Sequence, residues 1–199
     1  HVVSDGWSLN LLWHDIWEHY GEDQKAEAVE CNLRRYSEFV AWQDAWLDSP
    51  EYLKQQTFWE QYLANANELI DLPLDHTRPS ETNYNGKVVH FSLPAETTQA
   101  LAAFNQKNGS TDFMTLISAL FFLLNKYSGQ NDICIGTPVA NRRLREWEDV
   151  VGFFANVITL RGVMDPQQSI ASLSAQLREN VLQAFEHQDF PFEKIVERL

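Results

Sequence analysis

Apolar side chains recur every three or four positions through the first third of the chain, and this spacing predicts three helices. The first helix is expected over residues 7–20, with Ser4 or Asp5 as its N-cap. The second helix is expected over residues 36–47. The third begins after Ser49, because a serine followed at once by a proline is typical of a helix start.

The rest of the chain predicts strands that alternate with helices. Residues 69–87 are broken by proline and glycine and are expected to run extended as a boundary. The almost wholly apolar helix expected over residues 111–129 should be buried on most sides. This order of elements is typical of an α/β fold with a mixed sheet. The other predicted elements are a strand at 87–94, a helix opened by Pro94 and ended by Gly109, strands at 132–139 and 152–164, a long helix started by Asp165 and Pro166 that ends near His187, and a short helix at 190–199.

Composition and charge narrow the class of protein. The chain has 199 residues, of which 44% are hydrophobic, and this is typical of one globular domain. The formal net charge is −13, and 16 acidic but only 5 basic residues lie in the part up to Glu81. We interpret this local excess as a solvated helical face. Because phosphate binding needs clustered Lys and Arg, the charge argues against a nucleic-acid partner.

The sequence gives some indication of the cellular compartment of the protein. Cys31 and Cys134 have no CxxC spacing and no histidine cluster beside them, so neither a disulfide framework nor a metal site is predicted. A reducing cytoplasm is favoured. The longest apolar run, residues 113–124, is too short to cross a bilayer, so no membrane partner is expected. Since the chain begins with His1 rather than methionine, we expect it to be a piece of a longer one, and its lack of a signal peptide is uninformative.

Residues at the beginning of the chain are candidates for chemistry. An imidazole such as that of His1 has an ordinary pKa of about 6.5, so it can take or give a proton near neutral pH. Asp5 suits either a helix cap or a buried carboxylate. A buried carboxylate needs a cation, such as Arg142 or Arg143. Gly6 suits a tight backbone turn.

Other catalytic arrangements are not indicated by the sequence. There is no GxSxG motif, which argues against a serine hydrolase, and no GK[ST] loop that would cradle a phosphate. His187 and Asp189 lie close together, but no paired nucleophile follows them. We therefore interpret these two residues as holding the turn before the last helix.

Five segments resemble motifs of the condensation domains of nonribosomal peptide synthetases, in the same order along the whole chain. HVVSDGWS resembles HHxxxDGWS, entered at its second histidine, and YSEFVAWQ resembles YxDYAxWQ. GTPVANR resembles the strand and turn that begin the active-site wall of the second lobe. VGFFANVITLR resembles VGxFVNTLxxR, and HQDFPFEKIV resembles HQDxPFExIV. The resemblance is specific, because five motifs share one order and spacing.

The resemblance implies an α/β fold like that of chloramphenicol acetyltransferase, with two lobes and a tunnel between them. Residues 1–74 would be the C-terminal part of the first lobe, and residues 75–199 most of the second. Upstream and downstream carrier proteins would bring substrates on phosphopantetheine arms, with an adenylation domain adjacent. An acceptor amine would attack a donor thioester and form an amide. No cofactor of the domain's own is implied.

The resemblance also implies roles for individual residues near the first motif. His1 matches the catalytic histidine of the family and would act as a general base or as an orienting group. Asp5 would pair with Arg142 and fix the loop that carries His1. Gly6 would lie where the pantetheine arm and the thioester pass.

Three further residues are expected at the substrate tunnel. Asn156 matches an asparagine that would face the tunnel from the second lobe. An equal alternative for Asn156 is that its amide satisfies buried backbone groups. Trp7 and Ser8 are weaker candidates, since packing of the first helix explains both.

The motifs leave two classes of function open. The first is amide-forming condensation, together with its epimerising and ester-forming relatives; heterocyclisation is excluded because His1 stands where those domains have aspartate. The second is a non-catalytic module that only docks carrier proteins or a partner enzyme, and the intact His1, Asp5 and Gly6 argue against it. Because part of the first lobe would be missing, the 199 residues alone are expected to be inactive.

Overall fold

A computed structural model of the chain describes residues 3–20, 34–77, 81, 85–165 and 167–198. These parts form seven α-helices, one 3₁₀ helix and two strands. None of the described helices is both long and apolar enough to cross a membrane. The elements are α1 (Gly6–His19), α2 (Tyr36–Leu47), α3 (Pro50–Tyr62), α4 (Ala95–Asn108), α5 (Asp112–Ser128), β1 (Asp132–Val139), the 3₁₀ helix (Arg145–Trp147), β2 (Asn156–Val163), α6 (Ile170–Glu186) and α7 (Phe192–Arg198).

Local sequence signals set where several helices begin and end. At the start of α3 the Ser49 hydroxyl accepts a hydrogen bond from the Tyr52 N–H, and Pro50 occupies the first turn. Gly109 and Gly129 follow α4 and α5 with φ of 58° and 70°. Residues with a Cβ are strained in this left-handed backbone, so glycine ends both helices more easily than any other residue. The predicted start of α3 and the predicted end of α4 are confirmed.

The chain divides into two compact units. The first comprises His1–Ala64, Gly136–Thr159 and Phe185–Leu199, and the second comprises Asn65–Ile135 and Leu160–Ala184. The strands β1 and β2 are hydrogen-bonded neighbours in a two-stranded sheet. The boundary predicted after residue 74 refers to the lobes of a larger fold, and it stays a prediction.

Aromatic side chains fill the core of the first unit. Phe39 of α2 packs on Phe154 with ring centroids 4.4 Å apart, and Trp147 and Val150 complete the buried cluster. Burial of one such side chain stabilises a fold by about 1.5–3 kcal/mol relative to exposure. The cluster therefore anchors α2 on residues 147–154.

The core of the second unit forms where α5 and α6 pack on the end of β2. Phe121 and Leu177 are buried, and both lie against Gly162. A Cβ on Gly162 would lie 2.8 Å from the Phe121 ring, so the close approach of these elements requires glycine. Arg161 on β2 donates two hydrogen bonds to the Asp132 carboxylate on β1, at 2.8 and 2.7 Å, and this bidentate pair ties the two strands together.

The prediction that α5 is buried on most sides is wrong. Its buried residues are Ile117, Ser118 and Phe121, which lie on one face. On the opposite face Leu116 and Leu123 are 49% and 51% exposed in the part of the chain that the structure describes. A run of apolar residues shows that a helix can be buried, but tertiary packing decides which sides neighbours cover.

The strand predicted at residues 87–94 does not form. The segment takes part in no ladder with the described residues, and Val88, Val89 and Phe91 are each about four-fifths exposed. A strand needs a hydrogen-bonded neighbour, and the described sheet contains β1 and β2 alone. The composition of residues 87–94 is typical of a strand, but the described parts of the chain contain no strand that pairs with it.

The second strand begins later than predicted. β2 starts at Asn156 rather than at Gly152. The N–H groups of Gly152 and Phe154 donate instead to the side chains of Ser8 and Asp5. Backbone groups that are used by side chains cannot also pair with a strand, so the ladder starts only after them.

The sixth helix also begins later than predicted. α6 starts at Ile170, whereas the expected start was Asp165 and Pro166, and Pro166 lies outside the described residues. The Asp165 carboxylate accepts a hydrogen bond from the Gln167 N–H at 2.9 Å, which makes a turn. The hydroxyl of Ser169 then caps the helix.

Candidate functional site

A buried ion pair ties the start of α1 to the rest of the first unit. Asp5 is the N-cap of α1, and its Oδ1 accepts a hydrogen bond from the Ser8 N–H at 2.8 Å. Nη2 of Arg142 lies 3.2 Å from the same oxygen, and both side chains are almost fully buried. Oδ2 accepts from the Phe154 N–H at 3.0 Å. The structure thus contains the contact between Asp5 and Arg142 that the sequence predicted.

The guanidinium of Arg142 joins this cap to the loop before β2. Nη1 donates to the carbonyl oxygens of Trp147 and Val150, the latter at 2.7 Å. Nη2 also donates to the Ser8 hydroxyl at 2.8 Å. The guanidinium carbon lies 3.9 Å from the centroid of the Phe154 ring, which is a stacking arrangement. Only the planar, multiply donating side chain of arginine can make all of these contacts at once.

The carboxyl group of Asp5 is held in its ionised form. Burial raises its pKa, but hydrogen bonds from the N–H groups of Ser8 and Phe154 and the charge of Arg142 together lower it more. The net effect is a pKa below the ordinary value, so the carboxylate carries its charge at neutral pH. Removal of one partner from such a pair leaves a buried charge without compensation, which costs about 3–5 kcal/mol.

Ser8, a predicted tunnel residue, has no exposed surface in the described structure. Its hydroxyl donates to the Gly152 carbonyl at 2.7 Å and accepts from the Gly152 N–H at 3.0 Å. It also accepts from Arg142. A hydroxyl offers one donor and two acceptor positions, so these three contacts use the whole hydrogen-bonding capacity of Ser8.

Trp7 and Gly6 lie on the more open side of the same turn. The indole Nε1 of Trp7 donates to the Glu148 carbonyl at 2.8 Å, while the side chain stays 43% exposed. A Cβ built on Gly6 would meet nothing within 4 Å among the described residues. The role of Gly6 beside the substrate arm stays a prediction.

Asn156 binds the turn between α6 and α7. Its Nδ2 donates to the carbonyl oxygens of Gln188 and Phe190, both at 2.8 Å, and its Oδ1 accepts from the Phe192 N–H at 3.1 Å. The amide therefore satisfies three backbone groups, as one of its two predicted roles requires. The tunnel-facing role of Asn156 stays a prediction.

A cavity of about 170 Å³ lies beside Asn156 in the first unit. Its lining includes Tyr36, Asn141 and Asp189. Oδ1 of Asn141 is buried and has no hydrogen-bond partner among the described residues. A cavity of this size has room for a small polar group, because one water molecule occupies roughly 30 Å³ in the liquid.

His187 and Asp189 hold the turn before α7 in place, as the sequence suggested. The His187 ring stacks on Phe58 with centroids 3.7 Å apart, and its carbonyl oxygen accepts from Nε1 of Trp59 at 3.0 Å. The Asp189 carboxylate is paired with Arg143. These contacts are structural ones with α3 and with the segment after β1.

Three residues with buried or close contacts in the first unit were not singled out from the sequence. Gln55 of α3 is buried, and its Oε1 accepts from the Phe190 N–H at 3.1 Å. The sequence feature that could have identified Gln55 is a single polar residue on the otherwise apolar face of a predicted helix. Tyr36 and Gly152 lie inside the quoted motifs, but only their contacts in the folded chain reveal what they do.

His1, the predicted catalytic residue, lies outside the residues that the structure describes, as does Cys31. The described chain reaches the network at Asp5, a few residues after His1. No group of three or more metal-ligating side chains occurs in the described parts of the chain. The catalytic role of His1 stays a prediction.

Comparison with known proteins identifies the relatives of this chain. The family model described as Condensation domain matches residues 1–199. One of the linear gramicidin synthase proteins of Brevibacillus parabrevis is 37% identical to the chain over 202 residues. That alignment covers all of this chain and 3% of the synthase protein.

Two solved structures have folds similar to that of this chain. The X-domain in its complex with OxyB from teicoplanin biosynthesis matches with a TM-score of 0.89 and 26% identity, over 98% of this chain and 45% of that one. A holo four-domain nonribosomal peptide synthetase bound to AMP and glycine matches with a TM-score of 0.83 and 27% identity, over 98% of this chain and 14% of that one. These matches confirm the predicted fold class.

Proposed function

This chain belongs to the condensation-domain family, and from that premise we propose that it joins two carrier-bound substrates of a nonribosomal peptide synthetase by an amide bond. The amine nitrogen of the acceptor attacks the carbonyl carbon of the donor thioester. A C–N bond forms and the C–S bond breaks. The proton lost by nitrogen passes to the sulfur that leaves, so the products are an amide and a free thiol.

We assign the handling of this proton to the side chain of His1. An imidazole can accept it from the attacking amine, or it can hold the amine and the tetrahedral oxyanion by hydrogen bonds. A thioester is already an activated acyl donor, so correct orientation supplies much of the rate. Either role needs an imidazole that is held in one place.

The network of Asp5, Arg142 and Ser8 is the observation that carries the proposal. It is an almost completely buried set of polar groups at the start of α1, in which Nε of Arg142 is the one guanidinium nitrogen without a hydrogen-bond partner among the described residues. Such a set fixes backbone and side chains more strictly than apolar packing does. It lies a few residues after His1 in the sequence, and a fixed start of α1 would restrict the positions that the imidazole can reach.

The partners of the reaction follow from the same proposal. The domain itself needs no cofactor, and phosphopantetheine arms on an upstream and a downstream carrier protein bring the two substrates. An adjacent adenylation domain loads one of them. The matched four-domain synthetase, whose structure holds AMP and glycine, supports such a setting. We place the protein in the cytoplasm.

A single substitution tests the proposed chemistry. In the full-length protein that contains this chain, His1→Ala should lower the rate of amide formation by about 10²–10⁴-fold, the usual contribution of a general acid or base. The measurement is the yield of condensed product with time, with both carrier proteins loaded.

His14→Ala is the matched control for this test. His14 is an exposed histidine on α1 whose Nε2 lies 3.6 Å from a carboxylate oxygen of Glu18, and its loss should leave the rate unchanged. An unchanged rate in the His1→Ala protein would contradict the proposal and favour the docking module. A product that is epimerised or ester-linked would identify one of the related reactions instead.

A further inference from the structure

Gly152 lies between two side chains that leave no room for one of its own. On one side the Ser8 hydroxyl bonds to both backbone groups of Gly152, the carbonyl at 2.7 Å and the N–H at 3.0 Å. On the other side lies the ring of Tyr36, and a Cβ built on Gly152 would overlap its Cδ2. The described residues with positive φ do not include Gly152, so glycine is required here for space rather than for backbone conformation.

Tyr36 holds the same loop through further contacts. Its hydroxyl donates to the Phe153 carbonyl at 2.6 Å. Its ring meets the Phe154 ring edge-on, with centroids 5.2 Å apart. The loop is thus held from the α2 side by Tyr36 and from the α1 side by Ser8.

The position of this loop sets the position of the start of α1. The Phe154 N–H donates to Asp5, and Gly152 binds Ser8 through both of its backbone groups. A shift of the loop would therefore move Asp5 and Ser8 together. The segment that begins with His1 leads directly into these two residues.

We propose that Tyr36, Gly152 and Ser8 form a clamp that positions His1, and that all three are positioning residues for the reaction. The inference rests on the proposed function. Ser8 and Gly152 act without touching the substrate, because the Ser8 hydroxyl is completely used by protein groups and Gly152 is buried. They act through the Asp5–Ser8 turn.

A double-mutant cycle between Gly152 and Tyr36 tests this inference. In the full-length protein, Gly152→Ala forces the loop away from the Tyr36 ring and should lower kcat by about 10- to 100-fold, because misplacement of a reacting group by about 1 Å has effects of this size. KM for the carrier proteins should not change. Tyr36→Ala should also lower kcat, by releasing the loop.

The kcat of the double variant shows whether Gly152 and Tyr36 act together or independently. In Gly152→Ala/Tyr36→Ala the new methyl group occupies space that the ring has left, so kcat should fall by less than the product of the two single effects. Groups in direct contact show such coupling, whereas distant groups do not. Single effects that simply multiply would overturn the clamp.

Gly162→Ala is the matched control for general damage to the fold. It is the same substitution and also creates a clash, 2.8 Å from the Phe121 ring, in the other compact unit. We expect it to lower the thermal stability but to leave the kcat of the folded protein unchanged. If Gly162→Ala lowers kcat as much as Gly152→Ala does, the clamp has no specific role.

Hydrogen exchange gives a readout that does not depend on activity. Gly152→Ala should speed the exchange of backbone amides in residues 3–20, and Gly162→Ala should not. Absence of this difference would overturn the clamp even if the wild-type protein is active. Absence of product from the wild-type protein, with the exchange difference present, would overturn the proposed function and leave the clamp standing.

Discussion

At the scale of single residues, the site depends on buried polar groups that hydrogen-bond to one another and to the backbone, and Nε of Arg142 alone among its guanidinium nitrogens has no partner in the described residues. Arg142 donates to Asp5, Ser8, Trp147 and Val150 while its plane stacks on an aromatic ring. A buried charge is tolerated only when its partners satisfy it in this way. The arrangement therefore behaves as a unit, and loss of any member leaves the others unsatisfied.

The pH dependence of stability should reveal the ionised carboxylate of Asp5. Its pKa in the folded chain lies below the ordinary 3.8. A lowered pKa means that the ionised group stabilises the fold at higher pH, and that this contribution is lost as the pH falls through the lowered value. Asp5→Asn should therefore reduce the free energy of unfolding by about 3–5 kcal/mol at pH 7.

The difference between wild type and Asp5→Asn should become smaller as the pH falls below about 4, because Asp5 of the unfolded wild-type chain then takes up a proton first and Asp5 of the folded chain follows at its lowered pKa. Urea unfolding at a series of pH values measures it. The control is Asp44→Asn on the exposed surface of α2, which should change stability by no more than about 0.5 kcal/mol. A difference for Asp5→Asn that is the same at pH 3 and pH 7 would contradict the assignment of the charge.

At the scale of elements, local chemistry sets the ends of helices, and contacts set the ends of strands. Ser49 and Gly129 act through atoms of their own immediate neighbourhood, so α3 begins and α5 ends where the sequence indicates. β2 begins only at Asn156, because the preceding backbone is bound by the side chains of α1. Segment 87–94 has a strand-like composition but no partner among the described residues.

Gly129 and Gly6 allow the effect of backbone conformation on stability to be measured without an effect of steric crowding. A Cβ on Gly129 or on Gly6 would meet nothing within 4 Å of described atoms, but only Gly129 has a positive φ, 70°. Gly129→Ala should lower the free energy of unfolding by about 1–2 kcal/mol. Gly6→Ala should leave it unchanged or raise it by up to about 1 kcal/mol. Equal effects in thermal unfolding would refute this explanation of how α5 ends.

At the scale of the whole molecule, the chain spans only part of the length of the proteins that it resembles. It spans 45% of the matched X-domain chain and 3% of the matched gramicidin synthase protein. Large apolar side chains are exposed on α5 and in segment 87–94, among them Leu116, Leu123 and Phe91. Soluble proteins rarely leave contiguous apolar patches open unless another surface covers them.

The isolated 199 residues are expected to form no amide. A site built from two lobes needs both walls, and positioning accounts for much of the rate of such a reaction. The assay mixes the isolated chain with two loaded carrier proteins and follows dipeptide formation by mass spectrometry. The full-length protein under the same conditions is the positive control. Dipeptide made by the isolated chain above the uncatalysed background would disprove the expectation.

The sequence by itself determined the family, several helix ends and the identity of the partner of Asp5. Caps and left-handed glycines depend on a few consecutive residues, and the motifs are strings of letters in a fixed order, so both can be read without a fold. The residues alone left Arg142 and Arg143 open as the partner of Asp5, and the resemblance to the family led to the choice of Arg142; Arg143 pairs with Asp189 instead.

Only the tertiary structure decided what surrounds these residues. Ser8 and Gly152 are 144 positions apart, and no local pattern shows that one hydroxyl binds both backbone groups of that glycine. The same holds for the ring of Tyr36 against Gly152, and for the open face of α5. Contacts between distant segments depend on how elements pack, and a linear pattern of apolar and polar residues carries burial preference but not the identity of the neighbour.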